Sequence, residues 1–338
     1  MIKLKQLLPI MFGCFIGLTQ AQPYPNKPIK LIVGFAPGGA ADYVARNISV
    51  PLSQALGQPI IIENKPGAGS SIAAEQVAKS PPDGYTLLIA SPSSISVNPA
   101  ISPKLGYKPS DLQPISKITS SPVILAVYPG SGINSVGELI TKANKDPGGL
   151  NYATSGNGSA PHLAAAYFSQ VTDIKMTHVP FRGGSLAIQS VIAGDTQLTF
   201  GTPPSVLPMI QAGRLKGLAI SSKERSPLAP NIPGMRESGV PAFAIDFWYG
   251  IFVPAGTPPA ITQKIFDAIQ VALKKSNVKT SLAREGTDVS LSTSPEQFSR
   301  FLLEDEKHST EKEKRYMLWG ITDHKRKITI IFTIRDIN

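Results

Sequence analysis

The sequence predicts an α/β fold of two lobes joined by two crossing strands. From Tyr24 onward, short apolar runs typical of buried strands alternate with segments of helical periodicity. The chain has 338 residues, more than one typical core holds. Two long apolar extended runs, Pro122–Val127 and Ile245–Val253, stand apart from the alternation and are predicted to cross between the lobes. The first lobe is therefore predicted to be discontinuous.

The two crossings divide the chain. We assign residues 22–122 to the first part of lobe one, 123–244 to lobe two, and 245–322 to the hinge return and the completion of lobe one. Residues 323–338 form an atypical tail, because the sequence there has neither a cap nor a helical period. Within the first helical segment, Pro51 predicts a kink or a division.

The first 21 residues are interpreted as a secretory signal peptide. Two lysines precede the apolar run Leu7–Leu18, and small residues stand before a cleavage point after Ala21. The run is shorter than the roughly 20 apolar residues that span a bilayer. The protein is therefore expected in the periplasm. Because the single cysteine, Cys14, lies in this peptide, the mature chain is expected to contain none.

Composition indicates a globular, exported protein. Hydrophobic residues make up 42% of the chain and charged residues 17%, which is enough apolar material for a core. The net charge is +10, but no long basic stripe interleaved with stacking aromatics occurs, so a nucleic acid partner is not predicted. A modest positive charge is compatible with an anionic solute, and a monomer is expected.

A strand, a glycine corner and a helix organise the first lobe. Ile29–Phe35 is predicted as a buried strand, Pro37-Gly38-Gly39 as a turn, and the residues that follow as a helix. Glycine permits positive φ and lets a ligand approach the backbone, and the first amides of a helix have no intrahelical acceptor. With the positive end of the helix dipole added, the corner suits a carboxylate or a phosphate.

The second lobe repeats this order of strand, corner and helix with a different sequence. A strand at Leu150–Thr154 runs into the segment SGNGSAPH, residues 155–162, which opens a helix. Its Ser and Asn side chains can cap that helix or donate to a ligand. Further polar corners follow predicted strands at Ser91, at Phe181–Ser185 and at Thr202. Because the two main corners belong to different lobes, they are predicted to form the two halves of a clamp.

Catalysis finds little support in the sequence. There are four histidines, no Gly-x-Ser-x-Gly elbow, and no cysteine outside the signal peptide. No His, Asp or Glu residues cluster at metal-ligand spacing, so no metal is predicted. Segments 156–160 and 67–69 look like fragments of a dinucleotide fingerprint, but neither completes it. We predict no enzyme and no cofactor; an α/β hydrolase or a nucleotide-dependent enzyme is the alternative.

Several positions near these corners have two interpretations. Asp42 either complements the dipole of the first helix or selects a ligand that carries an amine or hydroxyl. Arg182 either pairs with a distal carboxylate of the ligand or is solvated. His162 is expected to hydrogen-bond at a helix start rather than to bind metal. Trp248 and Tyr249 either belong to the core or contact the ligand at the cleft.

Seven segments together carry a recognisable pattern: YPNKPIKLIVGFAPGGAAD, IIENKPGAGSSIAAEQVA, PPDGYTLLIA, LNYATSGNGSAPHLA, HVPFRGGS, IQAGRLKGLAIS and FVPAGTPPA. In this order, from about Tyr24 to about Thr322, they resemble the solute receptors of tripartite tricarboxylate transporters, the Bug (TctC-like) family. The resemblance implies a periplasmic-binding-protein-like (type II) flytrap of two lobes with two crossing strands as hinge. It also implies closure on a small carboxylate, whether a di- or tricarboxylate, an amino acid or an aromatic acid, and delivery to membrane permease subunits. A receptor that instead signals to a membrane sensor is a further alternative.

By the same resemblance, one carboxylate would be held between the corner at 36–40 and the facing corner at 155–159. The chain departs from the family pattern at Gly201, where an Asp is frequent, and at Phe181-Arg182-Gly183, where Tyr-Lys-Gly is frequent. The predicted ligand-binding residues are Ala36, Pro37, Gly38, Gly39, Asp42, Ser91, Ser155, Gly156, Asn157, Ser159, His162, Arg182, Gly184, Ser185 and Thr202.

Overall fold

The computed structural model describes residues 24–101, 104–227, 229–284 and 286–311. The predicted signal peptide and the atypical tail lie outside these ranges. The strands are β1 (Ile29–Val33), β2 (Ile60–Asn64), β3 (Thr86–Ala90), β4 (Leu112–Pro122), β5 (Ile124–Val127), β6 (Asn151–Thr154), β7 (Thr177–Pro180), β8 (Leu198–Gly201), β9 (Lys216–Ile220), β10 (Asp246–Pro254) and β11 (Asp288–Val289). The helices are α1 (Ala40–Leu56), α2 (Ser71–Ala78), α3 (Asn98–Ile101), α4 (Val136–Lys145), α5 (Ala160–Thr172), α6 (Gly184–Ala193), α7 (Pro203–Gln211), α8 (Pro259–Lys274), α9 (Ser276–Arg284) and α10 (Pro295–Glu311).

The strands form two mixed sheets, one in each lobe. The sheet of lobe one has the order β11-β4-β10-β3-β1-β2, and the sheet of lobe two has the order β7-β6-β8-β5-β9. In each sheet the strands that precede the main corners pair in parallel with their neighbours, β1 with β2 and β3, and β6 with β7 and β8. The predicted two-lobed α/β fold is confirmed.

Helix α1 buries one face against lobe one. Val44, Ile48 and Leu52 recur at intervals of four residues and are fully buried, in one apolar cluster with Ile265 and Ile269 of α8. The predicted division at Pro51 is wrong, because α1 runs unbroken from Ala40 to Leu56. Packing of this apolar face against α8 outweighs the one backbone hydrogen bond that proline removes.

Lobe two has its own core. Phe168 on α5 packs against Phe200 on β8 and against Phe243, with ring centroids 5.3 and 5.6 Å away. All three rings are fully buried. A core of this kind in each lobe lets the lobes move as separate bodies, because burial of apolar surface within each lobe does not depend on the cleft between them.

The chain crosses between the lobes twice. It leaves the first sheet at the end of β4 and enters the second at β5, one residue later, and it returns between β9 and β10. Ser221 ties the two crossings together: its hydroxyl accepts from the Val123 amide at 2.9 Å and donates to the Ile245 carbonyl. The predicted run Pro122–Val127 is thus two strands that belong to different sheets, with Val123 between them.

Candidate ligand-binding cleft

A cleft between the lobes contains about 570 Å³ of free space, part of it open to solvent. Both lobes supply its walls, and so does β10 near the hinge. The residues that line it are Phe35, Gly39, Ala40, Ala41, Ser91, Ser93, Ser155, Ala160, Pro161, Gly184, Ala187, Ile188, Thr199, Gly201, Thr202, Ser205, Phe247, Trp248 and Tyr249.

The glycine corner of lobe one places the start of α1 at this cleft. Gly38 adopts φ +80°, a left-handed conformation that a side chain disfavours. Gly39 is the N-cap of α1 and, in the described part of the chain, no side chain caps the helix. The amides of the first turn therefore remain available to a ligand that binds at the cleft wall.

Asp42 lies behind this corner rather than among the lining residues. Its Oδ2 accepts from the Gly38 amide at 2.9 Å and from Arg46 Nε at 2.8 Å, and its Oδ1 accepts from Asn64 Nδ2 at 3.0 Å. Burial works against the charged form, but the hydrogen bonds from Arg46, Gly38 and Asn64 lower the pKa of the Asp42 carboxyl. The geometry therefore indicates that Asp42 stabilises the conformation of the turn.

Helix α6 of lobe two meets this corner from the other side of the cleft. Ser185 Oγ donates to the Pro37 carbonyl at 3.0 Å, across the cleft. A Cβ added to Gly39 would lie 3.9 Å from the Gly184 nitrogen, and one added to Gly183 would lie 2.7 Å from Ala36 Cβ. No side chain of the described residues caps α6 either. Two uncapped helix N-termini thus face each other in a closed cleft.

A second contact closes the cleft near residues 67–71. A Cβ on Gly69, at φ +58°, would overlap the Asn157 carbonyl oxygen of lobe two. Asn98 holds this loop in place, because its Nδ2 donates to the Ala68 and Gly69 carbonyls at 3.0 and 2.9 Å and to Ser71 Oγ at 2.8 Å. The lobes therefore touch through bare backbone at this point.

The corner of lobe two is braced from within. Ser159 Oγ donates to the Gly156 carbonyl at 2.6 Å, and Thr154 Oγ1 accepts from the Gly156 amide at 3.2 Å. The Gly158 amide donates to Nδ1 of His162 at 3.0 Å, so this nitrogen is an acceptor and carries no proton. His162 thus supports the corner at the start of α5, as the sequence predicts.

His162 and His178 form a stacked pair behind the corner. Their ring centroids lie 4.1 Å apart, and His178 Nε2 lies 2.6 Å from Thr154 Oγ1. Burial lowers the pKa of His162 to about 4. Burial, together with the neighbouring His162, lowers the pKa of His178 to about 3. Both imidazoles are therefore neutral at physiological pH.

This pair predicts acid sensitivity. We expect the free energy of unfolding to fall by about 1.4 kcal/mol per histidine between about pH 7.5 and about pH 5.5, because only the unfolded chain gains protons there. The stability is present above the unfolded pKa of about 6.5 and is lost as the pH falls toward the folded values. Urea unfolding of wild type and of the His162→Gln/His178→Gln variant at both pH values measures this. Equal pH dependence in the two proteins would contradict the prediction.

Some polar atoms at the cleft have no partner in the described part of the chain. Ser91 Oγ and Trp248 Nε1 are buried and make no hydrogen bond there. Ser91 follows Ala90, which pairs with Gly250, the residue after Tyr249, and both Ser91 and Tyr249 line the cleft. Burial raises the pKa of the Tyr249 phenol, which therefore stays protonated and can donate. A ligand with acceptor atoms would satisfy these groups.

The structure brings only part of the predicted set to the cleft wall. Five predicted residues line it: Gly39, Ser91, Ser155, Gly184 and Thr202. The others surround it without lining it: Ala36, Pro37, Gly38, Asp42, Gly156, Asn157, Ser159, His162, Arg182 and Ser185. Of these, Arg182 has an exposed side chain. The ligand contacts of the whole set stay predictions.

Sequence reasoning missed the aromatic part of the wall. Phe35 at the end of β1 and Phe247 on β10 were not predicted as site residues, and Trp248 and Tyr249 were left between core and cleft. The run IDFWYGIFV could have indicated these residues, because a strand that crosses between the lobes must pass the cleft.

The described ranges contain neither a metal-ligand cluster nor a helix of membrane-spanning character. No three His, Cys, Asp or Glu side chains come together there as a metal site. Within the same ranges, no helix combines the length and the apolar character needed to cross a bilayer.

The chain is similar to known receptors. The profile of the "Tripartite tricarboxylate transporter family receptor" matches residues 44–315. Protein BugT of Bordetella pertussis strain Tohama I is 34% identical over 312 residues, which cover 90% of this chain and 95% of BugT.

Solved structures of periplasmic receptors are also similar to this chain. MatC (Rpa3494) from Rhodopseudomonas palustris, with bound malate, is 32% identical with a TM-score of 0.80, and the match covers 84% of this chain and 98% of MatC. Rpa4515 of R. palustris, with adipate, is 30% identical with a TM-score of 0.82, and the match covers 86% and 97% of the two chains. The chain is a periplasmic solute-binding receptor and belongs to the tripartite tricarboxylate transporter receptor family.

Proposed function

We propose that this protein captures a small carboxylate between its lobes and delivers it to a tripartite tricarboxylate-type membrane transporter. The observation that carries the proposal is the meeting of two uncapped helix N-termini, those of α1 and α6, across a closed cleft. Aligned amides and two helix dipoles favour an anion at that point. Relatives solved with malate and with adipate support a carboxylate as that anion.

The mechanism is binding, closure and handover without covalent chemistry. A ligand carboxylate bound by the amides of α1 would favour the closed state, because the positive N-terminal end of α6 is stabilised by the same negative charge once the lobes close. Closure then adds the contacts Ser185 to Pro37 and Gly69 to Asn157. A permease that prefers the closed, loaded form would receive the acid when the lobes reopen. We also propose that residues 1–21 are a signal peptide that is cleaved after Ala21 during export.

The hydrolase and nucleotide-enzyme alternatives receive less support. Among the described residues, the cleft is lined by no His, Cys, Asp, Glu or Lys side chain that could act as a general base. His162 and His178 are engaged with Gly158 and Thr154 behind the corner. A lining of hydroxyls, amides and aromatic rings suits binding better than bond cleavage.

A ligand panel tests the proposal. We expect at least one of a set of mono-, di- and tricarboxylates and amino acids to raise the melting temperature by several degrees, because ligand at 100 times its Kd stabilises by about 2.7 kcal/mol. The chain has two tryptophans, so Trp319→Phe leaves Trp248, at the cleft, as the reporter of binding in fluorescence titrations.

Matched controls separate binding from buffer effects. The uncharged amide of each acid should not shift melting, because it lacks the charge that the helix termini favour. Absence of any shift across the whole panel, with unchanged Trp248 emission, would overturn the proposal. Transport is tested separately: cells that carry the two permease subunits should take up the identified acid only when the receptor is present.

A further inference from the structure

The cleft wall combines apolar surface with uncharged polar groups. Phe35, Ile188, Phe247 and Tyr249 contribute aromatic and aliphatic surface, and Ser91 and Ser155 contribute hydroxyls. Across the described ranges, no charged side chain is among the lining residues. A second ionic group on the ligand would therefore lie against this wall without a counter-charge, and burial of an unpaired charge is unfavourable.

Charged groups near the cleft are turned away from it. Asp42 is buried behind the corner, its charge is paired with Arg46, and its oxygens accept from Gly38, Arg46 and Asn64, so it does not face a ligand in the cleft. The Arg46 side chain is 57% exposed and binds Asp42 behind the corner. Arg182 is exposed and does not line the cleft. Neither an amino group nor a distal carboxylate of a ligand finds its partner among these side chains.

Backbone donors concentrate at one place in the cleft. The termini of α1 and α6 begin with residues that carry amide hydrogens, and these two termini adjoin. Two further helices that start at the cleft place prolines in their first turns, Pro161 in α5 and Pro203 and Pro204 in α7. Proline has no amide hydrogen, so these termini are poorer anion sites. The cleft thus has one strong subsite for a carboxylate.

Resting on the proposed carboxylate-binding function, we infer that the ligand is an aromatic monocarboxylate. Its carboxylate lies between the termini of α1 and α6, and its ring lies against Phe35, Phe247 and Tyr249. An uncharged acceptor on the ring, such as a hydroxyl, would pair with Ser91 Oγ or Trp248 Nε1, which have no partner among the described residues. Aromatic rings favour offset or edge contacts with one another, which adds to apolar burial.

Isothermal titration of the mature protein tests this choice. The probes are benzoate, 4-hydroxybenzoate, adipate, malate and aspartate, each at the same ionic strength. We expect one of the two aromatic acids to bind at least about tenfold more tightly than adipate, malate and aspartate. If adipate, malate or aspartate binds as tightly as the aromatic acids or more so, the inference is overturned while carboxylate capture stands. If none of the five binds, the inference is likewise overturned, and the broader panel decides the proposed function.

A pair of phenylalanine variants tests the aromatic wall. Phe35→Leu, in the cleft, should weaken the aromatic acid about three- to tenfold, the range expected for loss of one ring contact. Phe266→Leu, in the same apolar cluster but outside the lining, should leave binding unchanged. Equal effects of the two substitutions would contradict a ring contact at Phe35.

A charge introduced into the cleft tests the single-carboxylate argument. The Ser155 side chain is partly exposed at the wall, and Ser155→Lys would add the missing cation at little expense to the core. We expect adipate or malate to bind this variant at least about tenfold more tightly than wild type. Ser155→Gln, of similar length and uncharged, should show no such gain. A gain in both variants, or in neither, would contradict the role of the missing charge.

Discussion

Replacement of Gly69 by alanine is expected to weaken ligand binding by about 100-fold without unfolding either lobe. The added Cβ would overlap the Asn157 carbonyl oxygen, which belongs to the backbone of the other lobe and cannot rotate away. Overpacking of this kind costs about 1–3 kcal/mol. The overlap with Asn157 arises only in the closed state, whereas the 2.9 Å approach of the added Cβ to Asn98 Nδ2 lies within lobe one and is relieved by rotation of that side chain. Affinity falls by the same factor as the population of that state. Titration with the best ligand of the panel gives the fold-change.

Gly57→Ala is the matched control. Gly57 lies in the same lobe and has a similar φ of +72°, but an added Cβ there meets nothing within 4 Å. Both variants should lose about 1 kcal/mol of stability from the left-handed backbone, and only Gly69→Ala should lose affinity. Small-angle scattering should show Gly69→Ala still open at ligand concentrations that close wild type. Equal affinity in the two variants would mean that closure does not bring Gly69 to Asn157.

Replacement of Asp42 by alanine is expected to lower the free energy of unfolding by about 2–3 kcal/mol. The change removes the carboxylate that accepts from the Gly38 amide and from the Asn64 side-chain amide, and a hydrogen bond to a charged group contributes about 1.5–3 kcal/mol. Because the corner before α1 then loses its brace, all ligands should weaken by a similar factor. Urea unfolding and titration with two different acids measure both effects.

Arg46→Gln separates the brace from the ion pair. The Arg46 side chain is more than half exposed, so its salt bridge with Asp42 is screened, and its loss should cost less than about 1 kcal/mol. A change in ligand preference in Asp42→Ala, with unchanged stability, would restore the ligand-selecting role considered from the sequence. A uniform loss would establish the structural role that the hydrogen bonds indicate.

Some residues of the candidate site could be placed from the sequence alone, and others could not. Gly39, Ser91, Ser155, Gly184 and Thr202 follow predicted strands, and strand ends converge at the cleft of an α/β lobe. Their positions could be predicted from local patterns alone. The aromatic wall could not, because Phe247 and Tyr249 alternate with Trp248 along a strand whose faces look like core on both sides. Which face meets the cleft depends on how β10 pairs with β3 and β4.

The sequence by itself determined the two-lobed architecture, the two crossings and the repeated strand, corner and helix, because apolar periodicity, proline and glycine act locally. Tertiary structure decided between the two interpretations of Asp42. Gly38 and Arg46 lie four residues from it in the chain, but Asn64 reaches it only when β1 and β2 pair, which completes the set of hydrogen bonds on the carboxylate. Tertiary structure also decided where the lobes touch. Gly69 and Asn157 are far apart in the chain but come into contact in the fold. The local sequence around a glycine does not indicate which distant residue it will contact.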